Sequence, residues 1–182
     1  MNYTRFFFSN FFGFASCMCL NAQEFTSASI DSLSQYIYSQ QYSNTDLSSY
    51  GAIKKSRSED IFLEQHYFKI EPYFNHIATI GMLKSNQPDK CGFALRWMNW
   101  YINHLDNNGQ ILNYYYKPDG TDETTCPLGA TGVYCNNIDA EDSDPALFWI
   151  VAKQYYETTN DGSFFYTFYK NYPWKCSSIL NR

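Results

Sequence analysis

Four carboxylates stand within six residues, at Asp139, Glu141, Asp142 and Asp144. Crowded like charges raise the pKa of one member, and a carboxyl kept protonated beside an ionised one is what acid–base chemistry needs. Pro145 follows where a helix begins, and a helix N-terminus favours the ionised form instead. The same acids can therefore serve only to cap that helix, with Asp144 the natural cap. Calcium is a third reading, although the cluster lacks the glycine and terminal bidentate glutamate of a calcium loop. No Walker loop, Gly-x-Ser-x-Gly or His-Glu-x-x-His occurs, so no sharply spaced catalytic signature is present.

Sulfur and imidazole point away from metal. His66, His76 and His104 lie far apart and no Cys-x-x-Cys pair exists, so no metal site and no cofactor are expected. Cys17 and Cys19 fall in an apolar leader, leaving Cys91, Cys126, Cys135 and Cys176 as an even set. Cys126 and Cys135 bracket a turn-rich stretch around Pro127, Gly129 and Gly132, and are the preferred disulfide. His76, inside an apolar stretch, reads as a core histidine.

The elements that would position these groups follow from periodicity. Residues 1–22 have Arg5, an apolar run over residues 6–20 and Ala22 before Gln23, the order of a secretory signal peptide. Cleavage after Ala22 gives a secreted or periplasmic protein, and Phe14-Ala15-Ser16-Cys17 offers a lipoprotein alternative through Cys17. The run is shorter than the roughly 20 residues of a membrane span, so none is expected. Ile30, Leu33 and Ile37 suit a short amphipathic helix. Glu71-Pro72 opens a helix over residues 70–83 that is apolar nearly all round, which predicts an interior helix. Residues 93–105, carrying Trp97, Trp100 and Tyr101 among Arg96, Asn99 and Asn103, read as its outer partner. Residues 110–117 look strand-like and end in the turn Pro118-Asp119-Gly120. Asp144-Pro145 opens a second apolar helix, closed by Asn160-Asp161-Gly162 and followed by an aromatic one. The two acid–Pro starts lie about 73 residues apart, an internal repeat of helical hairpins. Hairpins of this kind bury their apolar faces by lining up interior helices against one another. The expected fold is all-α, an α/α toroid with a β-hairpin-like loop, in a single domain over residues 23–182.

Composition narrows the function classes. Aromatic residues make up 20% of the 182 and charged residues 17%, which excludes intrinsic disorder. A net charge of −5 without a basic stripe disfavours nucleic-acid partners.

With these elements placed, Glu71-Pro72-Tyr73-Phe74-Asn75-His76, then Trp100-Tyr101-Ile102-Asn103-His104 with Gly109-Gln110-Ile111, and Asp139-Ala140-Glu141-Asp142-Ser143-Asp144 together resemble the bacterial six-hairpin glycosidase superfamily. The resemblance spans residues 71–161 and implies carbohydrate as ligand and a glycoside-hydrolase-like activity. Such hydrolysis takes one proton-donating carboxyl and one ionised carboxylate. On that implication Asp142 is the candidate catalytic carboxylate and Asp139 its partner. Glu71, Glu141, Tyr114 and Tyr116 are candidate substrate-binding residues, the tyrosines through ring stacking. Trp97 and Trp100, at (i, i+3), are expected to pack between helices. Six hairpins would need on the order of 400 residues, so this chain is expected to hold two to three, as a truncated barrel or one that self-associates through an exposed helix flank. A non-catalytic carbohydrate-binding or interaction protein is the alternative.

Overall fold

The computed structural model describes residues 27–55, 67–106, 111–125 and 143–171. Two compact units divide the chain, Met1–Ile30 and Asp31–Arg182. Only residues 27–30 of the first are described, the opening turn of helix α1 (Ser27–Ser39). The second unit is mainly helical, with strand β1 (Phe68–Ile70), helices α2 (Pro72–Leu83) and α3 (Lys90–His104), strand β2 (Tyr114–Tyr116), and helices α4 (Ser143–Thr159) and α5 (Ser163–Asn171). No helix among the described residues is long and apolar enough to cross a membrane.

The helix starts obey the local chemistry of Pro and acids. Pro72 takes the first position of α2, where its missing N–H costs nothing. Glu71 occupies the cap position but makes no side-chain cap bond. Its carboxylate turns instead to Lys69 Nζ at 2.7 Å and Lys55 Nζ at 2.8 Å. Asp144 lies in the first turn of α4, one residue inside the helix rather than flanking it, and is 1% exposed. Between α4 and α5 the chain reverses at Asn160, whose φ of 54° is in the left-handed region, and Asp161 Oδ1 accepts the Ser163 amide at 2.8 Å to start α5.

Helices α2, α3 and α4 pack on one another, α2 against α4 most extensively. This agrees with alignment of the two acid–Pro helices, but a division into interior and outer helices does not appear, since α2 and α3 each bury about half of their residues. Helix α3, expected outside, buries Phe93, Ala94, Trp97, Met98, Trp100, Tyr101 and Ile102. Helix α2, expected inside, turns Asn75, His76 and Thr79 inward and leaves Phe74 and Ile77 exposed. Hydrogen bonds decide the orientation of α2. Asn75 Nδ2 donates to the Ile53 carbonyl at 2.8 Å, and His76 Nδ1 accepts from Trp97 Nε1 at 3.1 Å, so its polar face ties to two neighbours. In α4, Phe148 is fully buried while Tyr156 is exposed. In α1 the buried side is Ser34 with the partly covered Ile37 and Tyr38, and Leu33 of the expected stripe is exposed.

Strand β2 lies where the strand-like segment was expected, but its partner β1 was not anticipated. The pairing is antiparallel, with Phe68 opposite Tyr116, Lys69 opposite Tyr115 and Ile70 opposite Tyr114. On its other edge Tyr115 bridges Thr124 through two backbone hydrogen bonds of 2.8 and 3.0 Å. The intervening turn contains Gly120 at φ 87° and Asp122 at φ 58°. Tyr114 and Tyr116 therefore share one side, toward α3, and Tyr115 packs with Tyr67 on the other.

Candidate functional site

The aromatic spacing of α3 builds a stack that ends in an imidazole. Trp97 and Trp100 stack at 5.2 Å between centroids, and Trp100 stacks on His104 at 4.2 Å. Residues three and four apart share a helix face, so one sequence pattern aligns all three rings. Tyr114 stands perpendicular beside the stack, 4.7 Å from His104 and 5.5 Å from Trp100, and its hydroxyl donates to the His104 carbonyl at 3.3 Å. Both faces of Trp100 are covered and Trp97 is fully buried, so these indoles are packing residues.

Each polar atom around His104 has a defined partner. Nδ1 lies 2.7 Å from the Trp100 carbonyl, which only accepts, so Nδ1 carries a proton. Nε2 lies 3.2 Å from Glu123 Oε2 and 3.1 Å from the Tyr116 hydroxyl. Tyr116 donates to Glu123 Oε2 at 2.8 Å and accepts from Trp100 Nε1 at 3.1 Å. Ser48 hydrogen-bonds both Tyr116 and Glu123. The hydrogen bond from His104, with those from Ser48 and Tyr116 and the imidazole charge, holds the Glu123 carboxyl down to about 2. Burial, reinforced by Glu123, pushes the Tyr116 hydroxyl far above the usual tyrosine range. The result is an ionised Glu123, a protonated Tyr116 and an imidazole whose two nitrogens are both engaged.

A cleft of about 270 Å³ opens in front of this network. Thr45, Leu47, Ser48 and Tyr50 form one wall, and Asn99, Trp100, Asn103 and His104 of α3 the other. The loop wall is held in place by the Tyr42 amide donating to the Ala52 carbonyl at 2.9 Å and by the Tyr42 hydroxyl donating to the Lys117 carbonyl at 2.9 Å. Hydroxyls and carboxamides, each able to donate and accept, alternate here with rings. The wall has no Asp, Glu, Lys or Arg.

The sequence-derived candidates divide three ways. Asp139, Glu141 and Asp142, like Cys126 and Cys135, lie outside the described residues. Burial pushes the Glu71 carboxyl up, but the hydrogen bonds and charges of Lys55 and Lys69 outweigh it and leave the group below the usual range, and it does not line the cleft. Tyr114 and Tyr116 do meet at the site, but not as a stacking platform. Tyr116 is fully buried with its hydroxyl committed to Glu123, and Tyr114 braces His104, so both support the cleft from behind. His104, Glu123, Ser48, Asn99 and Asn103 went unrecognised as site residues. The i, i+4 pairs Asn99/Asn103 and Trp100/His104 on adjacent faces of α3 were a usable signal for the helix wall. Nothing local marks Glu123 or Ser48. Cys91 is a half-buried free thiol. Among the described residues no group of three or more His, Cys, Asp or Glu could hold a metal ion. No protein family, curated protein or solved structure matches this chain.

Proposed function

We propose that the protein binds carbohydrate in the cleft between the 45–50 loop and α3, as a glycoside-hydrolase-like protein whose hydrolytic residues are Asp142 and Asp139. The observation that carries the binding reading is the make-up of the wall. Thr45, Ser48, Tyr50, Asn99 and Asn103 supply neutral donors and acceptors beside Trp100 and His104. Sugar hydroxyls both donate and accept, so a neutral polar wall suits a sugar better than a charged ligand. The volume suits about one pyranose ring, at the small end of ligand sites, which usually run from about 300 Å³ upward.

His104 is a poor general base in this setting, because neither ring nitrogen is left to face a ligand. Glu123 stays ionised and cannot donate a proton. Hydrolysis therefore rests on the acidic segment that precedes α4. The same reading takes the helices as an incomplete α/α toroid of the six-hairpin type, with export directed by residues 1–22 and the stretch between Cys126 and Cys135 closed by a disulfide.

The test is calorimetric titration of the protein with glucose, galactose, mannose, N-acetylglucosamine and their β-linked oligomers. We expect saturable binding to at least one, weakened about tenfold in Asn103→Ala, since losing a hydrogen bond to a neutral partner costs about 1.4 kcal/mol. Asp142→Asn should abolish hydrolysis of that oligomer and leave its affinity intact. Absence of saturable binding across the panel would overturn the carbohydrate reading. Binding that ignores Asn103→Ala would move it away from this cleft.

A further inference from the structure

We infer that the cleft is assembled by protonated His104 and that Glu123, which stands behind its wall, is the positioning residue that couples ligand binding to proton uptake. This rests on the cleft being the ligand site. The geometry supplies the coupling. With Nδ1 donating to the Trp100 carbonyl, Nε2 meets the Glu123 carboxylate at 3.2 Å as a donor only when the ring is an imidazolium. In that state every proton has a place. Nε2 donates to Glu123, Tyr116 donates to Glu123 at 2.8 Å, and Trp100 Nε1 donates to Tyr116 at 3.1 Å. Removing the Nε2 proton leaves two acceptors 3.2 Å apart, a lone pair and an ionised oxygen, with the Tyr116 and Ser48 hydroxyl protons to share. The contact between His104 and Glu123 then loses its hydrogen bond.

That loss reaches the cleft directly. His104 and Ser48 stand on opposite walls, and Ser48 is hydrogen-bonded to Glu123 and Tyr116, so one carboxylate holds both. The titratable groups that face the imidazole come from three places in the fold. From β2 come Tyr114 and Tyr116, both pushed above the usual tyrosine range by burial, and from the turn beyond it Glu123, pushed down to about 2. The 45–50 loop brings Ser48 and Tyr50, with Asp46 exposed on it, and α3 is followed by Asp106, also exposed. Histidine is the side chain whose charge ordinarily changes between about pH 5 and 8.

The coupling is tested first without ligand. Two-dimensional NMR of the full chain from pH 5 to 8.5 should show the Asn99, Asn103 and Ser48 signals changing with the same midpoint as the His104 imidazole. In Glu123→Gln that shared step should disappear from the wall signals, because a neutral amide no longer prefers the imidazolium. Glu123 is about one-third exposed, so the variant leaves the core intact. Wall signals that do not follow His104, or that follow it equally in Glu123→Gln, would overturn the inference. With the best monosaccharide of the panel above, affinity should fall about tenfold from pH 5.5 to 8 in the wild type and stay within twofold in Glu123→Gln. An equal fall in both proteins would likewise overturn it. If no sugar binds, the carbohydrate reading fails, and the ligand-free titration still decides the coupling.

Discussion

At the scale of single residues, one histidine lies in the core as sequence suggested, although its Nε2 is buried without a hydrogen-bond partner, and another takes a role that only its surroundings define. His76 is fully buried, its Nδ1 accepting from Trp97 and its ring set edge-on to Tyr101 at 4.6 Å. Burial depresses its pKa from the ordinary 6.5 to about 3. The unfolded chain takes up the proton first, so the stabilisation from a neutral His76 is complete above about pH 6.5 and is lost as pH falls toward 3. Within that window stability should fall by roughly 1.4 kcal/mol per pH unit. Urea denaturation at pH 7.5 and 5 should show this loss in the wild type. His76→Leu should be less stable at pH 7.5, because the Trp97 indole N–H loses its acceptor, yet flatter with pH. Parallel pH profiles would show that His76 is not the titrating group. His104, by contrast, is built into a polar network in which a carbonyl, a carboxylate and a phenol together fix its position.

At the scale of elements, two glycines separate backbone geometry from mere absence of a side chain. Gly51 turns the loop that faces α3 with φ 93°, and a Cβ placed there would stand 2.3 Å from the Arg96 carbonyl oxygen. The loop can approach α3 only without that atom, and the approach also lets Gln41 Nε2 donate to the Gly51 and Phe93 carbonyls at 3.1 and 3.0 Å. Gly81 lies at an exposed position of α2, where a Cβ would have nothing within 4 Å. Gly51→Ala should cost about 2 kcal/mol or more. Gly81→Ala should stabilise by about 0.5 to 1 kcal/mol through helix propensity and lost unfolded-state entropy. Thermal melts of the two variants should shift in opposite directions. A neutral Gly51→Ala would mean that the loop is not held against α3 in solution.

For the whole molecule, the junction of the helices is Phe148. Its ring stacks on Tyr101 of α3 at 5.0 Å, meets His76 of α2 at 6.1 Å, and lies 6.4 and 6.0 Å from Phe164 and Phe168 of α5. Four helices converge on one buried side chain, so Phe148→Ala should remove about 3 to 5 kcal/mol. If α2 to α5 form one cooperative unit, urea unfolding should remain a single transition with an unchanged slope. Ile150→Ala, at a 44% exposed position on the same helix, should cost little. Two separate transitions in the Phe148 variant would show that α5 docks independently.

Local grammar by itself determined where most described elements lie. Acid–Pro starts, the Asn160-Asp161-Gly162 stop and the Pro118-Asp119-Gly120 turn each act through the conformation of adjacent residues, which needs no tertiary partner. The period of two likewise set Tyr114 and Tyr116 on one side of β2. Tertiary structure decided which face of each helix became enclosed. Apolar content measures how much surface a helix can bury, whereas the direction it faces depends on hydrogen bonds such as those of Asn75 and His76 to distant groups. It also decided the site. Ser48, His104 and the pair Tyr116 and Glu123 come from three separate stretches, and the pairing of β2 with β1 on one edge and Thr124 on the other brings Glu123 within reach of His104. A contact made across such sequence separations leaves no periodic trace, because its partners are chosen by the geometry of the fold and not by their neighbours along the chain.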